Sequence, residues 1–197
     1  MGLSDLKKEL QKLDKDKLIE LLAELYKKNK SVKEFFDSHV NPNELELFKK
    51  YRDKVFEAFY PKRGINYKLK DGKQAISDFK KLGAPPDLVA DLMLFYVETG
   101  VKYTKDFGDL EEGFYSSMET TYLAALTNMN KENVLDRFVG RARKVVSETS
   151  GMGWGFHDCL AEVYCNFYGA TDDIEEDVEQ QKKRIIIKRG RPIRNRT

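Results

Sequence analysis

The chain has 197 residues, 41% of them apolar and 35% charged, with 35 Lys and Arg against 33 Asp and Glu. That length suits one helical domain of residues 1–170 plus a tail, and a body of that size buries roughly 70% of its unfolded surface without disulfide or metal staples. No apolar run approaches 18 residues, which argues against a membrane-spanning helix, and the opening MGLSDLKKEL carries charges where a secretory leader needs an apolar core.

In chain order, helical punctuation dominates. Ser4 is placed to cap a first helix with Leu6, Leu10 and Leu13 on one face. Asp14 or Asp16 opens a second, with Leu18, Leu21, Leu22 and Leu25 facing inward. Ser31 and Glu34 form a capping box, each serving the other's free N–H group, and Asn43 with Glu46 repeats it before Leu47, Phe48, Tyr51, Val55 and Phe59. Pro61 and Gly64 break the pattern. Ile65, Tyr67 and Leu69 alternate as a short extended stretch would. A helix near 72–82 stops at Gly83, and Pro85-Pro86-Asp87 starts the most apolar helix. Helices near 111–129, 131–148 and 154–168 follow, the last closed by Gly169. The reading is all-α: an irregular helical bundle or short two-layer helical array of eight or nine helices, followed by a disordered acidic-then-basic tail.

The segments LSDLKKELQKLDKDKLIELLAELYKKN, NPNE at 41–44, AISDFKKLG, DLMLFYVETG and GMGWGFHD together resemble an uncharacterised family of small bacterial helical proteins, a domain of unknown function, over about residues 3–168. The resemblance implies an all-helical fold and a bacterial cytoplasmic setting. It supplies no activity and no catalytic residue, and the tail lies outside it.

Within the body, Gly151-Met152-Gly153-Trp154-Gly155-Phe156-His157-Asp158 is the most unusual segment. Three glycines ahead of a helix leave N–H groups that can hold an anion, with His157 and Asp158 as acid–base groups. Trp154, His157 and Asp158 are therefore the candidate ligand pocket. The plainer reading packs the one Trp against a neighbour and spends His157 on a helix end. Asp158, Glu162 and Cys165 share a helix face, as do Asp91 and Glu98, yet the paired Glu-x-x-His of a di-iron bundle is missing and His39 and His157 are the only histidines. Glu98 is expected to pair with Lys102 at i+4. No metal site, no cofactor and no catalytic residue is assigned. Cys159 and Cys165, about 9 Å apart in helical rise, exceed the roughly 7 Å reach of a disulfide and read as reduced, mostly buried thiols in a reducing cytoplasm.

After Gly169 the apolar periodicity ends. Residues 171–181 form an acidic linker with six acids and no base over 172–179, and residues 182–197 carry eight bases and no acid. Taking these from the chain's totals leaves 27 bases and 27 acids in the body, so only the tail has a general reason to bind a polyanion. Within it Arg189-Gly190-Arg191-Pro192, with Lys188 ahead, resembles the core of an AT-hook. A narrow A-tract minor groove attracts Arg, Gly190 lets the backbone reach the groove floor, and Pro192 steers the chain out. Lys188, Arg194 and Arg196 are placed to neutralise phosphates. The sequence departs from the motif in having Lys188 where Pro or Gly is frequent and three isoleucines before it.

Three functions compete. The first is a non-enzymatic helical protein whose tail binds A/T-rich DNA or another polyanion. The second is a protein-interaction or structural domain with an incidental tail. The third is a ligand binder or enzyme centred on GMGWGFHD.

Overall fold

The structure, a computed structural model, describes residues 2–40, 43–64 and 66–169, with the backbone alone for residues 38–40. The described residues form nine α-helices, one 3-10 turn and no strand: the fold is all-α. They divide into two compact units, the first ending at Leu47 and the second beginning at Phe48.

The first unit holds α1 (Leu3–Leu10), α2 (Lys15–Lys28), α3 (Lys30–Val40) and the first turn of α4 (Glu44–Phe59). Its helix starts show how local chemistry sets boundaries. Gly2, not Ser4, precedes α1, and its N–H donates to Asp5 at 3.1 Å. Asp14 caps α2 by accepting from the Lys17 N–H at 2.8 Å. The cap of α3 is Asn29 rather than Ser31: its Oδ1 accepts from the Ser31 and Val32 N–H groups at 3.0 and 3.3 Å. Asn43 accepts from the Glu46 N–H at 3.3 Å while its amide donates to the Glu46 carboxylate at 2.9 Å. Helices α2 and α3 pack together, joined by the Tyr26 hydroxyl donating to Asp37 at 2.7 Å.

The leucine faces expected to point inward do not form a core here. Neither α1 nor α2 contains a buried residue, and Leu6, Leu13, Leu21, Leu22 and Leu25 are each more than a third exposed. Two packed helices of this length enclose too little volume to cover an apolar stripe.

The second unit is built on α6 (Pro86–Phe107), which packs against α5 (Leu69–Lys81), α7 (Glu112–Lys131) and α8 (Val139–Ser147); α9 (Phe156–Tyr168) packs on α7 and α8. A helix surrounded this way must be apolar all round, and α6 buries residues on every side, from Val89 and Ala90 through Tyr96 and Val97 to Tyr103. Two glycines set the approach of its neighbours. A Cβ on Gly72 of α5 would lie 2.7 Å from the Tyr96 ring, and a Cβ on Gly100 of α6 would lie 2.2 Å from Met118 Sδ. The buried half of α4 (Tyr51, Val55, Ala58, Phe59) adds an aromatic seam in which Phe59 meets Tyr96 and Phe114 edge-on.

Three sequence expectations change. Helix α5 begins at Leu69; Tyr67 and Lys68 lie in a link, and Ile65 is outside the described residues. The helix expected over 131–148 is interrupted, because α7 runs to Lys131, Asn133 turns the chain at φ 55°, and a 3-10 turn (Leu135–Arg137) precedes α8. The last helix starts at Phe156, after a looped GMGWG, and ends at Gly169 with φ 83°.

Candidate functional site

The GMGWGFHD segment leaves α8 and crosses to the α6–α7 turn. The Gly153 N–H donates to Asp109 at 3.1 Å, the Trp154 indole N–H donates to the Leu110 carbonyl at 3.0 Å, and the Tyr115 hydroxyl donates to the same Asp109 carboxylate at 2.6 Å. Burial first, and then that carboxylate, raises the Tyr115 phenol to about 12. Trp154 adopts φ 61°. A left-handed backbone costs a side-chain-bearing residue roughly 1–2 kcal/mol, which the two hydrogen bonds to the turn offset. The indole itself is 63% exposed, so the packed tryptophan that the sequence suggested is instead a surface ring held by its nitrogen.

His157 lies on the inner side. It is 2% exposed, and its Nδ1 sits 3.1 Å from both the Val146 carbonyl and the Thr149 hydroxyl. Thr149 donates to the same carbonyl at 2.6 Å. A carbonyl only accepts, so Nδ1 carries the proton, and His157 is a further donor to a carbonyl in the last turn of α8 that already accepts from the Thr149 N–H at 3.1 Å. Its Nε2 and Asp158 Oδ1 are buried with no hydrogen-bond partner among the described residues. The structure therefore places Trp154 on the α6–α7 turn and His157 under α8. Of the N–H groups available to an anion, those of Met152, Gly153 and Phe156 already donate within the protein.

Charged side chains gather elsewhere. Arg141 of α8 reaches back to α6, where Nε and Nη2 donate to the two Glu98 oxygens at 2.8 and 2.9 Å and Nη1 donates to Asp91 at 2.6 Å. This corrects the expected pairing of Glu98 with Lys102, which instead donates to Asp106 at 2.6 Å and to the Tyr60 hydroxyl at 3.3 Å. Asp91 and Glu98, weighed above as metal carboxylates, are the two arms of this clamp. Lys102 and Tyr60 hold the Asp106 carboxyl below the ordinary carboxylate range. Among the described residues no three His, Cys, Asp or Glu side chains come together as a metal-holding group.

Cys159 and Cys165 form no disulfide, and both are half-buried rather than mostly buried. Burial first, then the charges of Glu119 and Glu162 and a hydrogen bond to Glu119, push the Cys159 thiol up. A thiol held protonated is a poor nucleophile.

The exposed apolar side chains form a second feature, to which Leu21, Leu22 and Leu25, expected to face inward, belong. Of fourteen large apolar residues exposed among those described, nine lie in the first unit, including Leu3, Ile19, Leu22, Leu25 and Phe35. The tail residues Lys188, Arg189, Gly190, Arg191, Pro192, Arg194 and Arg196, and the acidic linker before them, lie outside the described residues. No helix among the described residues is long and apolar enough to cross a membrane.

In comparisons with known proteins, a family model described as "Family of unknown function (DUF6155)" matches residues 1–168. No curated protein and no solved structure matches the chain.

Proposed function

Since the chain belongs to that family of unknown function, whose description carries no activity, we propose a function from the chain's own residues: it is a non-enzymatic cytoplasmic protein whose basic C-terminal tail binds nucleic acid, with Arg189-Gly190-Arg191-Pro192 in the minor groove of A/T-rich DNA. One observation carries the reading. Eight bases and no acid fall in residues 182–197, behind a body in which acids and bases balance. Such a block binds phosphate by counterion release whatever the body does. The Arg-Gly-Arg-Pro core adds residue types suited to a narrow groove.

Duplex binding by the full chain tests it, with A/T-rich and G/C-rich DNA titrated against salt. Gly190→Val adds a branched side chain at the groove floor without altering charge; it removes the A/T preference and leaves weak, salt-sensitive binding. Arg194→Gln with Arg196→Gln weakens both duplexes alike, and the salt slope falls by about 0.9 for each phosphate no longer neutralised. Wild-type protein without A/T preference reduces the tail to a generic polycation; wild-type protein that binds neither duplex overturns the reading.

A second reading, a protein-interaction domain, is favoured by the exposed apolar faces of α1–α3, since such patches mark interaction surfaces. Leu22 and Leu25 are already 44% and 45% exposed, so Leu22→Glu with Leu25→Glu changes association at little cost to folding. Unchanged sedimentation of this variant over a wide concentration range removes self-association as the use of that face.

A further inference from the structure

Helices α5 and α7 both pack on α6, and a cleft of about 590 Å³ opens between them. Its floor is Val89 and Met93 of α6, and its apolar walls are Ile76 of α5 and Ala124 of α7. Ala84 of the α5–α6 turn and Pro86, the first residue of α6, line one end. The small side chains of Ala84 and Ala124, with Ser77 and Thr120, leave the space that larger residues would fill. The volume falls in the range of roughly 300–1,000 Å³ typical of small-molecule sites.

The polar groups around this recess favour one sign of charge. Lys73, Ser77 and Lys80 stand at i, i+4 and i+7 on one face of α5, so the backbone positions of the two lysines lie about 10 Å apart along the helix with the serine between them. Both lysines are exposed, and neither has a carboxylate partner among the described residues. The nearby Asp78 is held by Gln74 at 2.7 Å and by Lys81 at 3.7 Å. No Asp or Glu lines the cleft. On the α7 side, the Asn128 amide donates to Met93 Sδ at 3.5 Å. A thioether is a weak acceptor, so this amide exchanges it for a carboxylate oxygen at little cost.

We propose that the cleft between α5, α6 and α7 binds a small amphipathic anion, a medium-chain carboxylate whose apolar body lies on Ile76, Val89, Met93 and Ala124 and whose head is held by Lys73, Lys80 and Asn128. Burying the apolar body supplies the binding energy. The cations and the amide fix its direction and favour it over uncharged analogues of the same shape. This site is independent of the tail.

The test uses the full chain with decanoate and, as its uncharged counterpart, decanol, followed by calorimetry and by the nuclear magnetic resonance of the Met93 methyl group. Decanoate is expected to bind with one-to-one stoichiometry and to shift the Met93 methyl. Lys73→Gln with Lys80→Gln weakens decanoate at least tenfold and leaves decanol within twofold. Ala124→Phe fills the recess and abolishes both; if this variant fails to fold, the Met93 shift and the lysine pair decide the matter alone. Decanoate that leaves Met93 unmoved, or whose affinity is indifferent to the two lysines, overturns the proposal and assigns any uptake to the exposed leucines of α1 and α2. Binding to phosphatidylglycerol vesicles without binding of monomeric decanoate also overturns it, in favour of attachment to a membrane surface.

Discussion

Replacing Gly100 with alanine sets two effects of opposite sign against each other. In a helix interior, alanine is favoured over glycine by about 1 kcal/mol. Gly100 lies in the middle of α6, where the new Cβ would meet Met118 Sδ at 2.2 Å and Cε and Cγ at 3.2 Å. Three atoms of one side chain are struck together, and Met118 is fully buried, so it must change rotamer inside a packed core. Overpacking of this kind costs about 1–3 kcal/mol. The clash is at its severe end, so the net expectation is a destabilisation of about 1–2 kcal/mol, a fall in melting temperature of roughly 2–8 °C for a chain of this size. Helix glycines Gly113 and Gly140 have nothing within 4 Å of a new Cβ, and their alanine variants should gain a few tenths to about 1 kcal/mol. Urea unfolding followed by Trp154 fluorescence reports on the second unit, because the chain has one Trp. Met118→Ala alone should cost about 2–5 kcal/mol, and the double variant should cost at least about 1 kcal/mol less than the two single variants combined. If Gly100→Ala stabilises as Gly113→Ala does, or if the cycle is additive within about 0.5 kcal/mol, the close approach of α6 and α7 is not what requires glycine there.

The clamp and the buried phenols give two further expectations. Arg141→Met leaves Asp91 and Glu98 facing each other without their cation and should cost about 2 kcal/mol, below the roughly 3–5 kcal/mol of a fully buried pair because all three groups keep some water. Arg141→Lys restores charge but not the fork and should recover only part of it; equal urea midpoints for Lys and Arg would remove the bidentate geometry from the account. Burial is the leading cause that raises Tyr60, Tyr96, Tyr115 and Tyr168 to about 12 from an ordinary 10.0. A phenol that keeps its proton longer in the folded chain adds stability that is complete below pH about 10 and is lost as pH climbs from about 10 to about 12. Phenolate absorbance should therefore rise late and together with loss of helical circular dichroism, and phenols that all titrate near pH 10 in a chain still folded would contradict their burial.

Local chemistry was legible in the sequence and long-range pairing was not. The Asp14 cap, the Asn43–Glu46 box, the Pro86 start and the Gly169 stop are decided within four residues, and each is where spacing places it. Ser31 was displaced by Asn29 because both are good caps and the earlier one reaches two N–H groups. Glu98 was misread because Lys102 is a neighbour in sequence, whereas Arg141 is 43 residues away and becomes a neighbour only when α8 folds onto α6. The same limit hid the lysine-rimmed cleft, whose lining comes from three helices. The leucine stripes of α1 and α2 were found as stripes, but periodicity cannot tell a stripe that meets a core from one that meets water.

Those stripes also have a history in time. The first unit is made before the second, and its α2–α3 pairing is local, the kind of pairing that forms in microseconds to milliseconds. With about 150 residues from Phe48 to Thr197 still to be joined at roughly 5–20 residues per second, helices α1–α3 are complete about 8–30 s before Thr197 is added. Through that interval their uncovered leucines are open to chaperones and to neighbouring nascent chains. A partner that takes this face is best served by being present during translation, and a cell lacking it should show the chain in aggregates formed on polysomes rather than from the finished protein.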